Sequence, residues 1–153
     1  MYVLCTHICI CTRTHTYTSI CVYIPKMRWS IIIEFSFCSY TLTLIKQCKV
    51  PIEKIAYIGH SLGAHVSGFA AKYMQSVNFT IRNIIGADPA WPLFKTNKCD
   101  EKLCKSDAKC VVALHTSDLG IQDEMGHLDL YFNGGHIQPK CGTERSIASN
   151  YCV

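Results

Sequence analysis

A short sequence, Gly59-His60-Ser61-Leu62-Gly63, restricts the possible folds of this chain more than any other feature. The apolar run Ile55–Ile58 before it predicts a buried strand. Helical spacing of apolar residues after it predicts a helix from Ser61 to about Gln75. Small residues at positions 59 and 63 let strand and helix approach closely, in a strained turn that presents the serine oxygen above the sheet. The pattern predicts the nucleophile elbow of a serine hydrolase, with Ser61 as nucleophile, in preference to an ordinary glycine-rich turn.

The remaining regular segments predict an α/β protein. Three further strands are predicted at Thr80–Ala87, Val111–Leu114 and Leu128–Phe132. Helical spacing within 42–48 predicts a helix that is ended by Val50-Pro51. Apolar strands alternating with helices indicate a mostly parallel sheet flanked by helices, here a partial α/β-hydrolase fold. The predicted apolar stripe of the elbow helix is Leu62, Val66, Phe69 and Tyr73.

A serine nucleophile needs a base, and the base needs a carboxylate that orients it. Asp88 follows a predicted strand and precedes Pro89, so it is the predicted acid, although a turn aspartate would look the same. The backbone N–H of Leu62, at the helix N-terminus, is the predicted oxyanion donor. No suitable base is found, because each histidine from residue 60 to residue 136 is better explained as structural. These histidines are His60, His65, His115, His127 and His136.

Residues 1–39 differ in composition from residues 40–153, which form the predicted hydrolase domain. The first segment repeats Thr, His, Tyr, Ile and Cys without regular periodicity, and it is predicted to pack poorly. A faulty start to the gene product is one hypothesis for it, which N-terminal sequencing of the natural protein would refute by detecting the segment. Its candidate metal ligands match no zinc-site spacing. They are Cys5, His7, Cys9 and Cys11.

Composition favours a secreted globular protein. The 11 cysteines favour an oxidising compartment, and their odd number leaves one thiol over or paired outside the chain. Asn78-Phe79-Thr80 is an N-glycosylation sequon. The first segment nevertheless has no Lys or Arg before Arg13, so no clear signal peptide is predicted. The net charge of +4 without a basic run predicts no nucleic-acid partner, and the absence of a long apolar run predicts no membrane span.

Several motifs together resemble the pancreatic lipase family over roughly residues 40–153. They are Ile55–Lys72, Gly86–Ala90, His115–Ser117, Gly126–Gly135 and Gln138–Cys141. The first is similar to that family's elbow region and the second to its acid motif. The resemblance implies an α/β-hydrolase with Ser61 as nucleophile, Asp88 as acid, and neither a metal nor an organic cofactor.

Within the family, the sequence is most similar to the insect phospholipases A1, including the venom enzymes. Phe94–Cys104 resembles their small disulfide loop, which implies a bond between Cys99 and Cys104. The family's lid lies between two bonded cysteines, here Cys141 and Cys152, and it is short, as is the loop from Ser117 to Met125. Short loops leave the site open to a polar head group. The resemblance therefore implies a secreted, monomeric enzyme that acts on phospholipid at a lipid surface.

The same resemblance locates the missing base two residues after the closing cysteine of the lid. With Cys152 in that place, the histidine is expected directly after Val153, where the transcript would reveal it. The chain as written is therefore predicted to be inactive, because losing a triad member costs on the order of 10⁴-fold in rate. Residues 1–37 also lack the HG-containing loop that supplies the family's second oxyanion donor.

Two alternative functions stay open at this point. One is a triacylglycerol lipase or galactolipase of the same family. The other is a non-catalytic, lipase-like binding protein of the yolk-protein type. Proteins of that second kind typically lose the serine, whereas this chain keeps both Ser61 and Asp88.

Overall fold

One six-stranded sheet organises the fold. The structure, a computed structural model, describes residues 5–12, 17–23, 30–94 and 97–139, with side chains from Phe37 onward. The strands are β1 (Cys5–Thr12), β2 (Tyr17–Tyr23), β3 (Ile55–His60), β4 (Asn83–Ala87), β5 (Cys110–His115) and β6 (Leu128–Tyr131), and the helices are α1 (Ser30–Lys46) and α2 (Leu62–Ser76). The strand order is β2-β1-β3-β4-β5-β6. Strands β3 to β6 are parallel, whereas β1 pairs antiparallel with β2 and β3. The predicted α/β fold with a mostly parallel sheet is confirmed.

The hydrophobic core lies between one face of the sheet and the two helices. Alternate residues of β3 point into it, with Ile55 and Tyr57 buried and their neighbours half-buried. Ile84 of β4 and Val111 of β5 belong to the same core. The ring of Phe37 on α1 packs 4.6 Å from the ring of Tyr57, centroid to centroid. The alternation arises because successive side chains of a strand point to opposite faces.

Helix α2 confirms the predicted elbow helix but buries a different stripe of side chains. Leu62 and Phe69 are half-buried and Tyr73 is exposed, so the predicted stripe is wrong for three of its four members. The buried positions are Val66 together with small or flexible residues such as Ala70 and Met74. Small side chains on the inner face let the helix axis approach the sheet closely, and the larger ring of Phe69 is accommodated at its margin.

The N-terminal part of the described chain contains more regular structure than its composition indicates. Strands β1 and β2 extend the sheet by backbone hydrogen bonds, which need no alternation of side-chain polarity. Helix α1 passes through the change of composition near residue 40, so the division into 1–39 and 40–153 stays a prediction. The helix is longer than predicted and ends at Lys46, because Val50 N–H bonds to Leu44 O and Lys49 takes a left-handed φ of 55°.

Two further observations concern the described ranges alone. None of their helices is both long and apolar enough to cross a bilayer. No group of three His, Cys, Asp or Glu side chains among them could hold a metal ion. The structure does not describe the side chains of the candidate metal ligands Cys5, His7, Cys9 and Cys11. The lid cysteines Cys141 and Cys152 lie outside the described residues.

Candidate active site

Ser61 is the single residue between β3 and α2. Its backbone takes φ 55° and ψ −120°, a conformation that is costly for a residue with a side chain. Two hydrogen bonds fix this turn to the segment around the end of β4. Ser61 N–H donates to Ala87 O at 2.8 Å, and Ser61 O accepts from Ala90 N–H at 3.3 Å. The strained, anchored turn has the form expected of a nucleophile elbow.

The elbow depends on the absence of a side chain at Gly59. A Cβ atom placed there would lie 2.1 Å from the carbonyl oxygen of Gly63. Strand and helix therefore meet backbone to backbone across the turn. Leu62 begins α2, so its N–H belongs to the first turn, where the helix supplies no acceptor.

Asp88 follows β4 directly and is 6% exposed. Its backbone has a positive φ of 47°, and its N–H donates to Leu114 O at 2.7 Å. Its carboxylate Oδ1 accepts from the N–H groups of Thr116 and Ser117, at 3.1 and 3.0 Å. Carboxylate Oδ2 accepts from the hydroxyl of Ser117 at 2.5 Å. Three donors therefore hold this buried carboxylate in one orientation.

The parallel register brings the serine and the aspartate to the same edge of the sheet. His60 of β3 pairs with Ala87 of β4, and Ser61 and Asp88 are the next residues of the two strands. The carboxyl ends of parallel strands are where α/β proteins place their reactive groups. The structure therefore places the hydroxyl-bearing turn and the buried carboxylate at the ends of neighbouring strands.

The histidines away from the turn make structural contacts. His65 Nε2–H donates to Ala90 O at 2.9 Å, and its Nδ1 accepts from Leu103 N–H at 3.0 Å. His115 is buried, with Ile121 O 2.7 Å from Nδ1 and Asp129 Oδ1 2.8 Å from Nε2. Val111 N–H donates to Nδ1 of His127, and exposed His136 pairs with Asp118. The hydrogen bonds and the ion pair of these four imidazoles therefore connect loops and strand ends to one another.

A protein-family model described as Lipase matches residues 33–150. The chain belongs to the lipase family. Membership places it in a family of hydrolytic enzymes.

Insect phospholipases A1 are similar to this lipase-family chain. One from Solenopsis invicta is 51% identical over 104 residues, which are 67% of this chain and 30% of that protein. One from Dinoponera quadriceps is 47% identical over 110 residues, or 71% of this chain and 29% of that protein. One from Vespula squamosa is 42% identical over 134 residues, or 86% of this chain and 44% of that protein. The predicted likeness to insect phospholipases A1 is confirmed, and the chain spans 29% to 44% of the length of these relatives.

The predicted loop between Cys99 and Cys104 is closed by a disulfide, with Cα atoms 5.3 Å apart. Residues within and just after this loop bind it to α2. Lys72 Nζ donates to Lys102 O at 2.9 Å and to Asp107 Oδ2 at 2.8 Å. Burial raises the pKa of Asp107, and the hydrogen bond from Lys72 opposes that rise. The loop thus braces the outer side of α2, the helix that carries the elbow.

His65 links this loop to the acid segment and is uncharged at neutral pH. Burial lowers its pKa from 6.5 to about 4, against the hydrogen bond to Ala90 and with help from the charge of Lys102. Its ring stacks on Phe94, with centroids 3.8 Å apart. Sequence analysis predicted a structural role for His65 but not its partners. Its structural role is to hold the segments on either side of α2.

The pKa of His65 predicts acid sensitivity of the fold. In the unfolded chain His65 binds a proton near pH 6.5, whereas in the folded chain it does so only near pH 4. The contribution of neutral His65 to the free energy of unfolding is therefore complete above pH 6.5 and is lost as the pH falls from 6.5 to 4. The lost free energy is on the order of 3 kcal/mol. Urea unfolding between pH 7.5 and 4 should therefore show a weaker pH dependence in His65→Gln than in the native chain. A native-like slope in His65→Gln would contradict the assignment.

Ser117 is the site residue that sequence analysis missed. It lies two residues beyond β5, at the same sheet edge as Ser61 and Asp88. A polar residue just past the end of the adjoining predicted strand was the available signal. The motif that contains it was noted only as a resemblance.

Proposed function

We propose that the whole protein is a secreted phospholipase A1 that releases the sn-1 fatty acid from phospholipids. The strained Ser61 turn, hydrogen-bonded to the residue before buried Asp88, is the observation that carries the proposal. We assign Ser61 as nucleophile and Asp88 as the acid that orients the base. The base is the histidine expected two residues after Cys152.

The proposed reaction is acyl transfer in two steps. Ser61 Oγ attacks the carbonyl carbon of the sn-1 ester while the histidine takes its proton, and Asp88 stabilises the imidazolium that forms. The N–H of Leu62 donates to the oxyanion of the tetrahedral intermediate. The histidine then protonates the departing alcohol of the lysophospholipid. Water hydrolyses the acyl-serine ester by the reverse sequence of proton transfers.

An apolar rim beside the site supports action at a lipid surface. Trp91 is 43% exposed, Leu93 77% and Leu119 45%. Trp91 N–H donates to Leu119 O at 2.9 Å, which joins the segment after Asp88 to the loop after Ser117. Exposed large apolar side chains grouped beside a reactive site are typical of surfaces that meet lipid or protein.

Two modifications accompany the proposal of a secreted protein. Asn78 and Thr80 of the sequon are exposed at the turn after α2, so the asparagine is accessible for N-glycosylation. We also propose a disulfide between Cys141 and Cys152, the pair that the family resemblance implies for the lid. Either feature would require passage through an oxidising secretory compartment.

The position of ester cleavage tests the substrate assignment. The complete gene product that contains residues 1–153, given phosphatidylcholine with different acyl chains at sn-1 and sn-2, should release the sn-1 acid and leave a 2-acyl lysophospholipid. Mass spectrometry of the early products measures this directly. Faster hydrolysis of emulsified triacylglycerol or of galactolipid would favour the alternative lipase assignments. Lipid binding without any turnover would favour a non-catalytic binding protein.

A further inference from the structure

Ser117 holds both oxygens of the Asp88 carboxylate and is itself 2% exposed. Its N–H donates to Oδ1 at 3.0 Å and its hydroxyl donates to Oδ2 at 2.5 Å. We propose that Ser117 is the positioning residue for Asp88, whose hydroxyl aims the one remaining acceptor site of the carboxylate at the catalytic base. This inference rests on the proposed role of Asp88 as the acid of the triad.

The direction of the Ser117 hydroxyl is fixed by a second contact. Leu119 N–H donates to Ser117 Oγ at 3.2 Å, so one lone pair of the oxygen faces the backbone. The hydroxyl proton is then directed to its acceptor, the Asp88 carboxylate. A bond of this length between a hydroxyl and a carboxylate belongs to the charge-assisted class, which is about twice as strong as a neutral hydrogen bond.

The acceptor sites of Asp88 can be counted. An ionised carboxylate offers about four lone-pair sites, two on each oxygen. The backbone N–H groups of Thr116 and Ser117 use both sites on Oδ1, and the Ser117 hydroxyl uses one on Oδ2. The site left by these donors is on Oδ2. An imidazole N–H that approaches the carboxylate therefore has one direction in which to bind.

The loop backbone packs against Oδ1 of Asp88, whereas Oδ2 is held by the side chain of Ser117. A Cβ atom at Gly120 would lie 2.5 Å from Asp88 Oδ1, so the loop backbone is already close to that oxygen. The main chain of Asp88 is held by its bond to Leu114 O. Rotation of the carboxylate about its last bond is therefore opposed at Oδ1 by the backbone and at Oδ2 by the side chain of Ser117.

Kinetics of the complete gene product on phosphatidylcholine test the role of the hydroxyl. Ser117→Ala should lower kcat roughly tenfold to a hundredfold with little change in KM, the range expected for loss of a hydrogen bond to a charged group. Ser117→Thr should recover most of the lost rate. Thr41→Val is the matched control, because it removes a buried hydroxyl bonded to Phe37 O and Tyr57 far from the site, and it should leave kcat unchanged.

A double-mutant cycle separates this inference from the proposed function. Asp88→Asn should lower kcat on the order of 10⁴-fold, and Ser117→Ala should add little in that background. If Asp88→Asn is fully active, the proposed triad is wrong. If Asp88→Asn is inactive while Ser117→Ala is as fast as the native enzyme, the positioning role alone is overturned.

The hydrogen bond between Ser117 and Asp88 can also be tested by NMR on residues 1–153, without measuring enzyme activity. A hydrogen bond from a buried hydroxyl to a carboxylate should slow the exchange of the Ser117 hydroxyl proton with water, so that its resonance is observed in the NMR spectrum of the native chain. The resonance should be absent in Ser117→Ala and present in Thr41→Val. Its absence from the folded native chain would overturn the inference even if Ser117→Ala fails to fold.

Discussion

Replacement of Ser61 by alanine should abolish phospholipid hydrolysis by the complete gene product. The hydroxyl is the only group that the proposed mechanism uses to form the acyl intermediate. Loss of a triad nucleophile typically lowers kcat on the order of 10⁴-fold or more. The smaller alanine side chain fits the same turn, so binding to lipid vesicles should persist while the release of fatty acid falls to background.

Ser76→Ala provides the matched control for this experiment. Ser76 is the last residue of α2, and its exposed hydroxyl donates to Tyr73 O at 2.7 Å. The same chemical change at the far end of the same helix should leave turnover at the native level. Residual turnover of Ser61→Ala within tenfold of the native rate would show that a different group attacks the ester.

The sequence predicted secondary structure best for the strands that pass through the hydrophobic core. Strands β3, β4 and β5 were predictable because each contains a short apolar run that the sheet buries. Strand β6 was predictable from its alternation and the glycines after it, although its side chains are mostly exposed. The elbow was predictable because its geometry admits few residues. Strands β1 and β2 were not, since backbone pairing with a neighbouring strand leaves no mark in side-chain periodicity.

The sequence predicted the candidate residues of the site but not the hydrogen bonds between them. Ser61 and Asp88 were identified by their positions at strand ends. Ser117 was missed because its role arises from a register between strands that are distant in sequence, which places β4 beside β5. The partners of His65 could not be predicted either, because Leu103 and Ala90 are distant from it in sequence and come together only in the folded chain.

The proposed nucleophile and acid both depend on neighbouring strand ends for their conformation. Asp88 and Ser61 both have positive φ angles, which cost free energy that the surrounding hydrogen bonds must offset. The backbone of each is bonded to a neighbouring strand end, Ser61 to Ala87 and Asp88 to Leu114. The sheet edge therefore stabilises the strained conformations on which the proposed chemistry depends.

Replacement of Gly59 by alanine should have the largest effect on the fold itself. The added Cβ would lie 2.1 Å from Gly63 O and 2.7 Å from Ala64 N, and both atoms belong to the first turn of α2. A flexible side chain could move aside, but a helix backbone can yield only if the strand and helix separate. Overpacking against side chains costs about 1–3 kcal/mol, so this backbone clash should lower the free energy of unfolding by at least about 3 kcal/mol.

Gly134→Ala is the control that separates steric clash from backbone conformation. Gly134 has a positive φ of 72°, yet the nearest atom to its added Cβ is 3.5 Å away. This substitution should cost only the conformational strain of a left-handed residue, about 1–2 kcal/mol. Urea unfolding of the two variants beside the native chain measures the difference. Equal stability of Gly59→Ala and Gly134→Ala would mean that β3 and α2 do not meet backbone to backbone at the elbow, and the strained turn that presents Ser61 would then lose its physical basis.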